Sequence, residues 1–177
     1  MSATVGVQLL QEYPELLVAV TVLVRAAMAW QTQLTWQEYR TLHRLKRGVF
    51  PLVSRYAGTA ILWVSNKGGR DDPEYIDTLD KPYREVVTDL RRGGGTLHLL
   101  NSLKRRPDSH GDPLSVAHLV WTHADGKQTE AYLFRNSDGT TDLYCHVETS
   151  VSDPLGHLTD RQKDGDARNV LGGVTFV

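Results

Sequence analysis

The residues best placed for chemistry are His146 and Glu148, which stand two positions apart in a stretch rich in Val, Leu, Tyr and Thr. Residues at i and i+2 of a β-strand share one face, so this pair could offer an imidazole nitrogen and a carboxylate oxygen to a metal ion. His118 is the natural third candidate ligand. It is predicted to lie two strands away, about 12 Å at the backbone from strand spacings of about 4.8 Å and rises of about 3.3 Å. The sequence therefore favours structural histidines over a metal site, and we expect no cofactor.

Other patterns that are typical of catalysis or ligand binding are incomplete. The run from Asp160 to Asp166 resembles a calcium loop, but Leu171 stands where the bidentate glutamate is needed. Gly93 to Gly95 follow a predicted helix, so they meet the wrong end of its dipole for a phosphate group. Cys145 has no assigned base beside it. We therefore assign no catalytic residue and expect a protein that is not an enzyme.

A group of basic residues surrounds the end of a helix predicted to start at Trp36, after a capping box of Thr35 and Glu38. Gly48 is expected to end this helix, and a short helix from Pro51 to Ala57 follows, which gives a helix-turn-helix-like spacing. The candidate phosphate contacts are Arg40, Arg44, Lys46, Arg47 and Arg55. A net charge of −1 argues against a general polyanion binder, so a DNA-binding regulator stays an alternative.

Length and composition indicate one domain over residues 1–177, because 40% hydrophobic and 23% charged residues are close to globular averages. Residues 1–58 read as helical and mildly basic, with six Arg/Lys and three Asp/Glu. Residues 59–113 read as mixed α/β with a polar connector. Residues 114–177 read as a β-meander and a Gly/Asp-rich tail, with five Arg/Lys and nine Asp/Glu. The single cysteine excludes an intramolecular disulfide.

An apolar run from Leu16 to Val24 lies in a helix that we predict from Pro14 to about Gln31. It is shorter than the about 20 residues of a membrane span and is followed at once by Arg25, so a buried helix is favoured. No Lys or Arg precedes it, which removes the first part of a secretory signal peptide. We expect no membrane association, no secretion by a signal peptide and a cytoplasmic or virion location.

Two Asp-Gly pairs, Asp125-Gly126 and Asp138-Gly139, divide the stretch at about 115–151 into three predicted antiparallel strands. Asp-Gly suits two-residue hairpin turns, and that length would set Arg135 opposite Asp142. This register gives a core face for the helices, made of Ala117, Leu119, Trp121, Tyr132, Phe134, Leu143, Cys145 and Val147. The other face would hold Val116, His118, Val120, Ala131, Leu133, Tyr144, His146 and Glu148. That set is too apolar for solvent, so we expect this chain or another molecule to cover it.

The sequence thus predicts an α+β fold in which a helical N-terminal half packs on an antiparallel β-meander, with a short C-terminal strand. The order of its predicted elements resembles that of head-to-tail connector and tail-terminator virion proteins of long-tailed phages. The resemblance covers Pro14 to Arg47, Asp80 to Arg92 and Leu114 to Val151. The resemblance implies a ring-forming, non-enzymatic virion component.

Three functions follow from these observations. A self-assembling structural subunit, with itself or other subunits of an assembly as partner, is the first. Its expected interaction face is Val116, His118, Val120, Leu133, Tyr144, His146 and Glu148. A small metal-dependent enzyme that uses His118, His146 and Glu148 is the second, and a DNA-binding regulator that uses the helices at 36–57 is the third.

Overall fold

A computed structural model of the chain describes residues 14–57, 64–66, 69–101, 103–106 and 111–150, together with Asp153 and Gly156. It confirms the α+β class. The described helices are α1 (Pro14–Thr32), α2 (Trp36–Ala57) and α3 (Tyr83–Arg92). The described strands are β1 (Val64–Asn66), β2 (Tyr75–Leu79), β3 (Thr96–Leu97), β4 (Leu103–Arg105), β5 (Ala117–Thr122), β6 (Lys127–Arg135) and β7 (Thr141–Thr149). The expected C-terminal strand lies outside the described residues.

Helix α2 begins as the sequence predicts and ends ten residues later than predicted. The Thr35 backbone N–H donates to Glu38 Oε2 at 2.8 Å, and the Glu38 N–H donates back to Thr35 Oγ1 at 3.3 Å, which confirms the capping box. The helix then continues through Gly48 and Pro51. The predicted stop at Gly48 is wrong because its backbone stays out of the left-handed region. With no break after residue 47, the helix-turn-helix-like spacing is wrong as well.

The hydrophobic core lies between the helices and one face of a five-stranded antiparallel sheet, ordered β2-β7-β6-β5-β3. Val86, Val87 and Leu90 of α3 are buried in it, as their i, i+1, i+4 spacing predicts. Tyr39 of α2 joins them, and the sheet contributes Trp121 and smaller apolar side chains from β5, β6 and β7. No helix in the described part of the chain is long and apolar enough to cross a membrane.

The register of the meander differs by one residue from the predicted one. Thr141, rather than Asp142, pairs with Arg135, and Trp121 pairs with Thr129. Because side chains alternate, a one-residue slip moves a whole strand to the other face. Tyr132 and Phe134 therefore lie on the second face, whereas Ala131 and Leu133 face the helices.

The cause of this slip is the length of the two turns. A two-residue turn needs positive φ at both of its central residues, but only the glycine of each Asp-Gly pair has it, with φ of 80° at Gly126 and 93° at Gly139. The His123 N–H donates to Lys127 O at 2.9 Å, so the loop holds three residues. Three-residue loops of this kind place glycine last, and the extra residue shifts the register.

The second face of the sheet is covered by the same chain. Strand β4, which pairs in parallel with β1, and the residue after it pass over this face. The Lys104 ammonium lies 5.4 Å from the centre of the Tyr132 ring, and the Arg106 guanidinium lies 5.0 Å from that of Phe134. Arg106 also pairs with the buried Asp142, with 2.5 Å between Nη1 and Oδ2. The covered space is therefore lined by charged and aromatic side chains.

Candidate metal centre

Three side chains converge on one point in the space between β4 and the sheet. His146 Nε2 lies 3.4 Å from Glu130 Oε2 and 3.3 Å from Glu148 Oε2. One ligand atom of each of the three residues lies within 4.8 Å of the other two. Glu130 and His146 are paired across β6 and β7, and Glu148 follows His146 on the same face of β7. The sheet itself thus sets the spacing of the cluster.

The Nε2 atom of His146 is aimed into this cluster without a hydrogen bond. The side chain is fully buried, and Nε2 has no hydrogen-bond partner among the described residues. Its distances of 3.3 and 3.4 Å to the two carboxylate oxygens are contacts between charged groups with poor hydrogen-bond geometry. A buried nitrogen in this position indicates a place for another atom.

The opposite atoms of the three side chains are held by an outer set of hydrogen bonds. His146 Nδ1 donates to Glu74 Oε2 at 2.9 Å, and the Tyr132 hydroxyl donates to the same oxygen. Gln128 Nε2 donates to Glu148 Oε1 at 2.9 Å. Each of these bonds fixes the far atom and leaves the near atom facing the cluster. Outer bonds of this type orient metal ligands in proteins.

The outer partner of Glu130 is His118. Its Nδ1 lies 3.2 Å from Glu130 Oε1, and its Nε2 lies 2.6 Å from Ser115 Oγ. Ser115 Oγ already accepts the Lys104 N–H at 3.1 Å, so its own proton points to Nε2 and the His118 proton sits on Nδ1. Burial lowers the pKa of His118 to about 4 despite the neighbouring Glu130. We therefore assign a neutral His118 that donates to Glu130.

The charges in the cluster depend on one another. Burial alone would lower the pKa of His146, but the carboxylates of Glu130, Glu148 and Glu74 raise it to about 10. Burial alone would raise the pKa of Glu130, but Lys104, His118 and His146 hold it well below its usual range. The Lys104 ammonium lies 3.7 Å from Glu130 Oε2. The cluster thus combines the buried Glu74 and Glu130 with the half-buried Glu148, and positive charge stabilises these carboxylates.

The structure brings together two of the three sequence-predicted metal ligands and adds another. His146 and Glu148 lie side by side, as the spacing predicts. His118 is not in the inner cluster but touches it through Glu130, which the wrong register had excluded from this face. Glu74 comes just before β2, a strand that the sequence analysis did not assign. The bulge between Tyr75 and Asp77 interrupts the alternation of apolar and polar residues by which such a strand is predicted.

The expected interaction face is inside the protein rather than on its surface. Val116 and Leu133 belong to the core beneath the helices. The other members lie on the second face, where all are buried except the half-buried Glu148. The complete set is Val116, His118, Val120, Leu133, Tyr144, His146 and Glu148. Coverage by β4 and Arg106 explains why an apolar set of side chains needs no partner molecule there.

The candidate phosphate contacts do not form one basic surface. Lys46 is buried, with its ammonium 2.6 Å from the Leu99 carbonyl oxygen, and Arg47 lies 3.4 Å from Asp112. Arg44 is exposed and Arg40 is half-buried. Arg55 lies in α2, and its side chain is outside the described residues. Lys46 therefore acts in packing, and its burial lowers its pKa to about 8.

Comparisons with known proteins give no relative to interpret this arrangement. The chain matches no protein family model, no curated protein and no solved structure. The resemblance to phage connector and terminator proteins therefore stays a prediction.

Proposed function

We propose that this protein binds a divalent metal ion through Glu130, His146 and Glu148. The observation that carries the proposal is the buried His146 Nε2, which points between two carboxylate oxygens with no hydrogen-bond partner among the described residues. Metal binding requires a neutral imidazole, so the ion would take the place of the proton that the carboxylates now favour on His146.

The spacing of the three side chains supports this proposal. Metal–nitrogen and metal–oxygen bonds of about 2.0–2.1 Å separate neighbouring ligand atoms of a tetrahedron by roughly 3.4 Å. The distances from His146 Nε2 to the oxygens of Glu130 and Glu148 are 3.4 and 3.3 Å. Both distances fit neighbouring ligands of one ion, and one carboxylate oxygen of each glutamate lies within 4.8 Å of the other.

The ligand types favour a particular class of ion and of site. A set of one imidazole and two carboxylates suits Zn²⁺ or Mn²⁺, and the outer bond from His146 to Glu74 matches the carboxylate–histidine–metal arrangement. Three protein ligands leave a coordination position for water or a substrate oxygen, as in catalytic zinc sites. Glu148, the most exposed ligand at 13%, marks the side from which an ion would enter.

A titration of the purified protein with Zn²⁺ and Mn²⁺, followed by calorimetry and native mass spectrometry, tests this proposal. We expect one ion per chain. His146→Ala removes a ligand and Glu148→Gln replaces a carboxylate by a neutral amide, so each should weaken binding at least about tenfold. Glu85→Gln is the matched control, since Glu85 is an exposed carboxylate in the first turn of α3.

Two results would contradict the metal site. One is a folded wild-type protein that binds neither ion. The other is binding that is equally strong in the wild type and in both ligand variants, which would place the ion elsewhere. Far-UV circular dichroism of each variant shows whether it has kept its fold, and Glu148→Gln serves if His146→Ala does not fold.

A second candidate function is the self-assembling subunit predicted from the sequence, and apolar residues on the helix surfaces favour it. Leu45, Val49 and Leu52 are 63%, 42% and 59% exposed at i, i+4 and i+7 of α2, which places them in one stripe. Large exposed apolar groups of this kind often mark contact surfaces. The partner in this proposal is a second copy of the chain.

Native mass spectrometry of wild type and Leu45→Glu tests the assembly proposal. A charged group in the stripe should shift an oligomer toward monomer, whereas Leu100→Glu should not, because Leu100 is 53% exposed but lies outside α2. A wild-type monomer at high concentration would argue against this function.

A further inference from the structure

Lys104 is a buried cation placed directly beside the proposed metal ligands. Its side chain is 5% exposed, and its ammonium lies 3.7 Å from Glu130 Oε2, the oxygen that faces His146. The ring of Tyr132 lies under the same ammonium at 5.4 Å. Lys104 is thus held between a carboxylate and an aromatic face, away from solvent.

The backbone keeps Lys104 in this position. Its N–H donates to Ser115 Oγ at 3.1 Å, and its carbonyl accepts the Ser115 N–H at 2.9 Å. Ser115 is also the partner of His118, which holds Glu130. The same outer network therefore orients the carboxylate and the cation beside it.

The charges of the immediate site balance for a doubly charged ion. Glu74, Glu130 and Glu148 supply three negative charges, and a ligating His146 is neutral. A divalent ion and the Lys104 ammonium supply three positive charges. A trivalent ion would leave an excess positive charge in a buried space, which is costly at low effective dielectric. The Lys46 ammonium is held by the carbonyls of Leu99 and Asn101, so its effect on each ion is the same in the wild type and in variants of Lys104.

We infer that Lys104 determines the charge selectivity of the site and makes it prefer divalent over trivalent ions. The inference rests on the proposed metal site. Repulsion between the ammonium and the bound ion grows with the charge of the ion. Removal of the ammonium should therefore strengthen the binding of both ions, and of the trivalent ion more.

Binding of Mn²⁺ and of Tb³⁺ to the wild type, Lys104→Met and Lys104→Arg tests this inference. We expect Lys104→Met to raise the ratio of Tb³⁺ affinity to Mn²⁺ affinity by about tenfold or more, on the scale of one unit charge a few ångströms away. Lys104→Arg keeps the charge and should stay within about threefold of the wild type. Lys104→Gln is a polar neutral variant for the case in which Met disturbs folding.

The outcomes separate this inference from the metal site itself. If the wild type binds Mn²⁺ and the affinity ratio is unchanged in both Lys104→Met and Lys104→Gln, the role of Lys104 is overturned and the metal site stands. If neither the wild type nor the Lys104 variants bind either ion, both proposals are overturned.

Discussion

Among the described residues, four histidines are buried, and their surroundings set their protonation in two different ways. His146 is surrounded by carboxylates that raise its pKa to about 10. Burial lowers the pKa of His43, His98 and His118, and for His98 and His118 it outweighs the attraction of Glu130. One histidine therefore favours its charged form, and three are held neutral by the fold.

Neutral buried histidines make the protein sensitive to acid. Burial lowers the pKa of His43 well below 6.5, and His118, Lys46 and Arg47 lower it further. Below pH about 6.5 the unfolded chain binds a proton that the folded state refuses, so stability falls as pH falls, by up to about 1.4 kcal/mol per pH unit per histidine. Each histidine stops lowering the stability once the pH falls below its pKa in the folded protein.

His43→Phe isolates one of these contributions. The ring of His43 stacks on that of Tyr39 at 5.2 Å, and its Nε2 has no hydrogen-bond partner among the described residues, so Phe can keep the packing. We expect urea titrations between pH 5 and 6.5 to give a shallower dependence of the unfolding free energy on pH in the variant. The difference in slope should correspond to about one proton fewer taken up on unfolding. Parallel slopes in the two proteins would contradict this assignment.

The pairing of His146 with Glu148 could be predicted from sequence because i and i+2 share a face in any register. The inclusion of Glu130 could not, because it depends on which residue of β6 stands opposite His146. Glu74 was out of reach for another reason, since its position follows from a short bulged edge strand. Local spacing thus predicted two of the three proposed ligands, and long-range strand pairing determined the positions of Glu130 and Glu74.

At the scale of elements, three-residue turns set the register that assembles the site. Gly126 and Gly139 have positive φ, and a Cβ added to either would meet no atom within 4 Å. Their replacement should therefore act through backbone conformation alone. Gly48 offers a matched control, since a Cβ there also meets nothing but the residue is helical.

The three glycine-to-alanine variants should change the free energy of unfolding in different directions. Gly126→Ala and Gly139→Ala should each lower the free energy of unfolding by about 1–2 kcal/mol, the cost of a left-handed backbone for an L-residue. Gly48→Ala should raise it by about 1 kcal/mol, from helix propensity. Urea unfolding measures all three. A loss of stability in Gly48→Ala comparable to that in the turns would contradict the continuous helix.

The elements themselves were predictable to different degrees. The capping box located the start of α2, and the glycines from Gly93 onward located the end of α3, because both are local signals. Gly48 after a group of basic residues indicated the end of the helix, yet α2 passes through Gly48 and Pro51. In the meander, the Asp-Gly pairs identified the turns but left two loop lengths possible.

At the scale of the whole molecule, Arg106 ties the covering segment to the five-stranded sheet. Its guanidinium pairs with Asp142 and donates to Asn136 Oδ1 at 2.8 Å and to the Arg135 carbonyl at 3.2 Å. The side chain is fully buried. The α+β class was predictable from sequence, but this coverage was not, because it joins Arg106 to residues 29 to 36 positions away through a buried charge.

Arg106→Met should destabilise the protein by up to about 3–5 kcal/mol, because the buried Asp142 would lose its buried cation and keep only the more exposed Arg70, 3.2 Å away, as a charged partner. Urea unfolding measures the change. Arg105→Met is the control, since Arg105 is the exposed neighbour and should change stability by less than about 0.5 kcal/mol. The double variant Arg106→Met with Asp142→Leu should recover part of the loss. Equal losses of stability in the two single arginine variants would contradict the role of Arg106 in holding the covering segment on the sheet.

The most direct measurement of the central claim is anomalous X-ray diffraction from crystals soaked in Zn²⁺ or Mn²⁺. The proposed site predicts one peak between Glu130, His146 and Glu148, about 2.0–2.2 Å from one atom of each. The absence of a peak there would contradict it, provided that the soaked crystals diffract well and that the His146 imidazole still lies between its two carboxylates.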